Sequence, residues 1–337
     1  YGVSYNSYLI DDEMVALVDT VDICYFEVYL RKIKQVIGER PINYLIINHM
    51  EPDHSGSIRL IKQHYPGIII VGNKQTFGMI EGFYGVTGEQ YLVKEGDFLA
   101  LGHHKLRFYM TPMVHWPETM MTFDETDGVL FSGDGFGCFG TVDGGFLDTR
   151  INVDKYWGEM VRYYSNIVGK YGSPVQKALQ KLGGLPISAI CSTHGPVWTE
   201  NIAKVIGIYD RLSRYDADEG VVIAYGSMYG NTEQMAEAIA EELSAQGVKN
   251  IVMHNVTKSH PSYIIADIFR YKGLIIGSPT YSNQIFPEVE ALLSKILLRE
   301  VKGRYLGYFG SFTWAGAAVK RLAEFAEKSK FELVGRS

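Results

Sequence analysis

The chain has 337 residues, 46% of them hydrophobic and 21% charged, with a formal net charge of −6. That length favours two domains over one, and the composition is that of a globular chain able to bury sizeable cores. The acidic balance argues against a nucleic-acid footprint, and three scattered cysteines (Cys24, Cys138, Cys191) with no C-x-x-C pair support neither a disulfide framework nor a cysteine-held cluster.

Such cysteine usage fits a reducing cytoplasm. No apolar run reaches membrane-spanning length, and no signal-peptide pattern opens the chain. The sequence begins at Tyr1 and stops at Ser337, so truncation at both ends is expected.

In chain order, residues 1 to about 210 read as short strands interleaved with turns and helices. The strands expected are "SYLI", "MVALVD", "YLIINH", "IIIVG", "LRFYM", "GVLFSGD" and "ISAICSTH". A helix is predicted from about Tyr25 to Ile37, where Phe26, Leu30, Ile33 and Ile37 recur at three- and four-residue spacing. The polar segment "RYDADEG" (214–220) reads as a linker, dividing the chain into domains at 1–214 and 220–337.

Beyond it, "VVIAYG", "NIVMHNV", "KGLIIGS", "RYLGYFGS" and "FELVG" are expected strands, alternating with helices such as "TEQMAEAIAEELSAQ" and "PEVEALLSKILLRE". In the first of these helices Met235, Ile239 and Leu243 share one stripe, flanked by Ala236 and Ala240. Strict β-α alternation implies a parallel sheet covered on both faces. A helix closing the sheet after "FELVG" is expected and does not follow.

Chemistry concentrates in "IINHMEPDHSGS" (46–57), which sets His49, Glu51, Asp53 and His54 within six positions. Three further donors follow other predicted strands: His115, Asp134 in "LFSGDGFG", and His194 in "AICSTHGP". Strand ends on one edge of a layered α/β fold converge, so separate loops can build one site. Four histidines and three carboxylates are too many for one tetrahedral metal and suit two metals sharing a bridging carboxylate. Neighbouring Gly56, Gly133, Gly135, Gly195 and Pro196 permit tight turns.

Taken singly, His115 or His194 would be a hydrogen-bonded histidine, Asp134 a turn residue and Glu51 a solvated loop charge. The His-x-Glu-x-Asp-His cluster is what chance rarely supplies. His64, His103, His104, His254 and His260 have no ligand partners near them in sequence and read as structural.

On these residues the first domain resembles the metallo-β-lactamase fold, whose zinc hydrolases carry His-x-His-x-Asp-His with distant His, Asp and His ligands. Glu51 stands where the second histidine would be. That departure resembles flavodiiron proteins, soluble reductases of dioxygen and nitric oxide, and an added anionic oxygen donor suits iron. The resemblance implies that His49, Glu51 and His115 bind one iron, that Asp53, His54 and His194 bind the other, and that Asp134 bridges them.

"VVIAYGSMYGNTEQMAEAI" reads as strand, polar loop and helix, with Ser227, Met228, Tyr229, Gly230, Asn231 and Thr232 placed to meet a phosphate at the helix N-terminus. It lacks the lysine of a nucleoside-triphosphate loop and the G-x-G-x-x-G of a dinucleotide fold. The competing reading is a helix simply capped by Asn231 or Thr232. Two more loops favour a flavin. "GSPTYSNQ" (277–284) offers Pro279, Thr280, Tyr281, Ser282 and Asn283; "GSFTWAG" (310–316) offers Ser311, Phe312, Thr313, Trp314 and Gly316. Tyr281, Phe312 and Trp314 could wall a flat ring while Asn283 and backbone groups meet its polar edge.

This half resembles flavodoxin, and its three loops are similar to the FMN loops of flavodiiron proteins. The resemblance spans the chain and implies an α/β protein: a metallo-β-lactamase-like αββα sandwich followed by a flavodoxin-like doubly wound parallel sheet. It further implies a cytoplasmic enzyme reducing O2 to water, NO to nitrous oxide, or both, at a diiron centre. Electrons would arrive through FMN from rubredoxin or a similar small donor, a separate protein since no cysteine knuckle occurs in this sequence. In the family, subunits pack head to tail as a homodimer or dimer of dimers. A dinuclear zinc hydrolase with an appended flavin domain is the rival reading, and a non-catalytic electron carrier a further one.

Overall fold

The computed structural model describes residues 2–142 and 144–336. By contacts the chain divides into two units. The first holds the chain to Met160 together with Ser173–Asp210; the second holds Val161–Gly172 and the chain from Arg211 onward.

Among the described residues of the first unit, ten strands form: β1 (Tyr8–Ile10), β2 (Ala16–Val18), β3 (Tyr44–Ile46), β4 (Ile69–Gly72), β5 (Gln90–Leu92), β6 (Phe98–Ala100), β7 (Lys105–Met110), β8 (Met120–Asp124), β9 (Val129–Gly133) and β10 (Ala189–Ser192). The first five make one sheet in chain order, with β1 antiparallel to β2 and the rest parallel. The others make a second sheet in the order β10-β9-β8-β7-β6, in which only β9 and β10 run parallel.

Successive residues of one strand point to opposite faces, and that decides the layers. Ala16, Val18, Ile46 and Val71 join Leu106, Phe108, Met120 and Phe131 in a core shared by the two sheets. Their neighbours Leu17, Leu45 and Ile70 face the other way, onto the helices α1 (Phe26–Ile37), α3 (Ile58–His64) and α4 (Lys74–Tyr84). A four-residue helix, α2 (Pro52–Ser55), precedes α3. The predicted stripe of Phe26, Leu30, Ile33 and Ile37 is the buried face of α1. Each such side chain contributes about 1.5–3 kcal/mol by burial, far more than the helix propensity differences along the segment. Later helices are α5 (Asp154–Tyr163), α6 (Gly172–Leu182) and α7 (Ile202–Ser213); Tyr209 of α7 lies 4.9 Å, centroid to centroid, from Phe136 just beyond β9. This is the αββα arrangement.

In the second unit β11 (Asp218–Tyr225), β12 (Ile251–Asn255), β13 (Tyr271–Tyr281), β15 (Tyr305–Ser311) and β16 (Glu332–Arg336) form a parallel sheet in the order β12-β11-β13-β15-β16, and β14 (Gln284–Ile285) adds antiparallel to β13. Helices α8 (Asn231–Ala245), α9 (Pro261–Arg270), α10 (Pro287–Arg299) and α11 (Ala317–Ser329) connect the strands. Met235, Ile239 and Leu243 of α8 pack with Ile223 and Phe309 of the sheet. Strand order reverses between β11 and β13, which opens a crevice beyond their carboxyl ends.

Of the segment read as a linker, residues 218–220 belong to β11 and only 214–217 lie between α7 and that strand.

Candidate functional site: a seven-ligand cage and an aromatic cleft

The cage in the first unit grows from strand ends. The chain leaving β3 carries His49 and Glu51 into the loop, and α2 presents Asp53 and His54 from one short turn of helix. His115 lies between β7 and β8; Asp134 and His194 follow β9 and β10. Gly133 (φ 55°) and Gly195 (φ 83°) sit beside the last two, and their left-handed conformation lets the chain turn sharply there. A Cβ on Gly195 would come within 2.3 Å of Cys138 Sγ.

All seven residues named from the sequence come together, in two clusters: His49, Glu51, His115 and Asp134 in one, Asp53, His54 and His194 in the other. Asp134 serves both. Its Oδ2 lies 3.5 Å from His49 Nε2 and 3.0 Å from His115 Nε2. Its Oδ1 lies 3.0 Å from His54 Nε2 and 3.7 Å from His194 Nε2. Glu51 Oε2 completes the first cluster at 3.4 Å from His49 Nε2 and 3.1 Å from His115 Nε2. Asp53 Oδ2 completes the second, 3.3 Å from both His54 Nε2 and His194 Nε2.

Groups around the cage fix the rings. Glu118 Oε1, fully buried, accepts from His49 Nδ1 at 2.8 Å and from the Met50 amide at 2.9 Å. His194 Nδ1 donates to the Ser4 carbonyl at 2.7 Å. Both contacts turn Nε2 inward. Asp19 accepts from the amides of Asn48 (2.8 Å) and His49 (3.3 Å), and Thr193 Oγ1 donates to Asp134 Oδ1 at 2.6 Å. The rings of Trp116 and Tyr5 lie 5.3 Å from His49 and 5.8 Å from His194. Glu118, Asp19 and Ser4 went unread in the sequence, since nothing near them marks a partner so distant.

The electrostatics call for cations. Burial pushes the His49 imidazolium down, yet Asp134 and the hydrogen bonds with Glu118 and Glu51 outweigh it and raise the ring to about 10. Burial likewise opposes His115, but Asp134 and Glu51 bring it up to about 8. Glu51, pushed up by burial, is drawn down to about 2 by His115 and His49. Asp134 falls well below the carboxylate range because His54 and His49 overcome its burial.

The residues fit a pair of divalent metals on three grounds. Separations of 3.0–3.7 Å between facing donors match the edges of a coordination shell with metal–ligand lengths of about 2.0–2.2 Å. The Nε2 atoms of His54 and His194 face each other at 3.1 Å, which needs a cation or proton between them. Asp53 Oδ1 and His54 Nδ1 are buried without a hydrogen-bond partner among the described residues.

The second unit brings the three predicted loops to one cleft, lined by Met228, Tyr229, Asn231, Thr232, Pro279, Thr280, Ser311, Phe312, Thr313, Trp314 and Ala315. Ala315 was not anticipated. Ser227, Gly230, Tyr281, Ser282, Asn283 and Gly316 lie beside the lining rather than in it. Ser227 Oγ accepts from the Gly230 amide at 3.2 Å, which shapes the first loop. "GSPTYSNQ" is less a loop than expected: β13 runs on to Tyr281, and Ser282 and Asn283, both at positive φ, make a two-residue turn to β14.

The simple-cap reading fails. Gly230 is the N-cap of α8 and brings no side chain to its amides. The Thr232 hydroxyl instead meets Ser311 Oγ at 2.9 Å, tying first loop to third. The first-turn amides of α8 are thus open to an anion, the usual place for a phosphate. Tyr229 (86% exposed), Trp314 (83%) and Phe312 (58%) stand out from the surface around the cleft, where a flat ring ligand would cover them.

Comparison with known proteins agrees with both halves. A family model described as ODP family beta lactamase matches residues 3–195, and a flavodoxin model matches 223–336. A protein named anaerobic nitric oxide reductase flavorubredoxin from Vibrio vulnificus is 33% identical, the match covering 98% of this chain and 68% of that one. The solved rubredoxin oxygen:oxidoreductase from Desulfovibrio gigas superposes with a TM-score of 0.95 at 31% identity, over 98% of this chain and 84% of that one. The flavodiiron protein from Giardia intestinalis gives 0.94 at 28% identity, over 100% and 84%.

Proposed function

This chain belongs to the flavodiiron protein family, and we propose that it is an oxidoreductase reducing nitric oxide to nitrous oxide, dioxygen to water, or both. Asp134 carries the reading, because each of its oxygens addresses a different cluster of donors. His49, Glu51 and His115 would hold one iron, Asp53, His54 and His194 the other, with Asp134 between them. FMN would lie in the cleft, its phosphate at the α8 N-terminus among Ser227–Thr232 and its ring against Trp314, Phe312 and Tyr281. When bound, these groups supply one-electron relay through the flavin and a pair of redox-active Lewis acids that activate the diatomic gas.

The chain's own residues bind and orient. Glu118 and the Ser4 carbonyl hold His49 and His194 with Nε2 toward the cage, a device that raises ligand basicity. Glu51 adds a hard oxygen donor that favours iron over the zinc of a hydrolase. The buried walls, with Trp116 and Tyr5 nearby, limit access of bulk water. Names of the relatives support the reductase over the zinc hydrolase, and point to a rubredoxin-type donor. We further propose a cytoplasmic head-to-tail homodimer, with functional domains at 1–214 and 220–337.

Anaerobic purification followed by metal and flavin analysis tests the reading. Two irons and one FMN per chain are expected, with NO or O2 consumed under an artificial donor. Two zincs, no iron and no gas consumption would overturn it.

A further inference from the structure

The turn from Ser192 to Gly195 carries two of the cage's contacts. One is His194 itself; the other is Thr193, whose hydroxyl donates to Asp134 Oδ1, the oxygen facing the second cluster. The ladder between β10 and β9 ends at Ser192, after a register shift. Beyond that point the carbonyls of the turn need donors from outside the sheet, because a buried carbonyl left without one is costly.

Asn6 supplies most of those donors. Its Nδ2 donates to the Ser192 carbonyl at 3.0 Å and to the Gly195 carbonyl at 2.9 Å, and its backbone amide donates to the Thr193 carbonyl at 2.8 Å. A carboxamide nitrogen has two hydrogens, and both are used on the carbonyls that flank Thr193 and His194. Both acceptors are carbonyl oxygens, so the nitrogen end of the amide must be the end that faces them. The remaining carbonyl, that of His194, accepts from the Ser192 hydroxyl at 2.6 Å. Ser4 completes the brace: its Oγ accepts from the Gly195 amide at 2.7 Å, and its carbonyl holds His194 Nδ1.

The two clusters are therefore positioned from different places. His49 is held by Glu118 at its ring and by Asp19 at its backbone. His194 depends on a segment 186 and more positions away in sequence. Metal–ligand lengths are kept to within about 0.2 Å, so a small shift of the turn is enough to lose a ligand.

We propose that Asn6 is the positioning residue for the second metal position. Its carboxamide fixes the Ser192–Gly195 turn, and through it both the placing of His194 Nε2 and the bond from Thr193 to Asp134. This inference rests on the diiron reading and deepens it, since it makes one of the two metals depend on Asn6 and the other not.

The test titrates metal-free protein with Fe2+ under anaerobic conditions and reads the two binding steps by calorimetry. Asn6→Ala should bind one iron as tightly as wild type and the other about 10–100-fold more weakly. His194→Ala should weaken the same step. In the double variant the Asn6 change should add little, because it acts through His194. Asn6→Asp is nearly isosteric but turns a carboxylate oxygen toward the Ser192 and Gly195 carbonyls; it should lose the same step, and it keeps the test open if Asn6→Ala fails to fold. Both steps weakened alike, neither step weakened, or full additivity with His194→Ala would overturn the proposal and leave the diiron reading intact. A wild-type protein that takes up no iron would overturn both.

Discussion

His49 and Trp314 mark two ways of preparing a site. His49 is fully buried, held at Nδ1 by Glu118 and facing two other carboxylates with Nε2, while Trp314 is 83% exposed on a loop. The cage spends its side-chain freedom in advance: five of its seven donors are buried, and neighbours hold the rings. The cleft leaves its aromatic walls and helix amides for a ligand to complete. Preorganisation of the first kind should make the cage intolerant of single changes, since each donor has few ways to relax. In the cleft, by contrast, the ligand brings part of the order with it, and single losses should be graded.

The sharpest way to break that comparison is Asp134→Asn. An amide keeps the shape but removes the shared charge between the clusters, so iron content should fall below two per chain and gas reduction by more than ~100-fold. Flavin content should stay at that of wild type. An active variant with two irons would show the cage to be far more tolerant than its packing implies. Glu118→Gln comes next. It removes the anionic partner of His49 without touching the inner donors, and iron affinity should weaken about 10–100-fold in an equilibrium titration.

The metal-free cage offers a test by pH. His49 has its folded pKa raised to about 10, so the stability it contributes is present in full below the unfolded value of about 6.5 and is lost as pH rises through 10. Glu51 works at the other end. Its folded pKa is lowered to about 2, so its contribution is present above about 4.5 and lost as pH falls through 2. Melting temperature of the metal-free protein should therefore decline between pH 6.5 and 10. Loading with iron should flatten that decline, because a metal replaces the protons. An unchanged slope after loading would mean that iron does not sit among these donors.

How much of this was legible in the sequence follows from where the partners lie. The seven cage donors sit next to strand ends, four of them within six residues, so local spacing revealed them. Glu118 pairs with a histidine 69 residues away and His104 with an aspartate 92 residues away. A lone acid in "HWPETM" or "LIDDEM" carries no local signal of such pairing. Among strands, β8 escaped because all five of its residues are buried and show no alternation. β5 and β6 escaped because three-residue strands with exposed positions leave little pattern. The phosphate loop was legible as strand, loop and helix, but the choice between a capped and an open helix end turns on Gly230 taking the N-cap position, which Asn231 and Thr232 suit equally well by residue type.

In the cleft the expected losses are smaller. Trp314→Ala removes one stacking wall and should weaken FMN binding about 10-fold, with the iron count unchanged. The mildest case is Thr232→Val, which keeps side-chain volume near the start of α8 but cuts the Thr232–Ser311 hydrogen bond that ties first loop to third. A net hydrogen bond contributes about 0.5–1.5 kcal/mol, so FMN affinity should drop only severalfold by fluorescence titration. Because the amides of α8 remain in place, phosphate recognition should survive, and excess FMN should restore full occupancy. Complete loss of flavin from this variant would instead mean that the cleft is as rigidly pre-set as the cage, and that the contrast between the two sites rests on exposure alone.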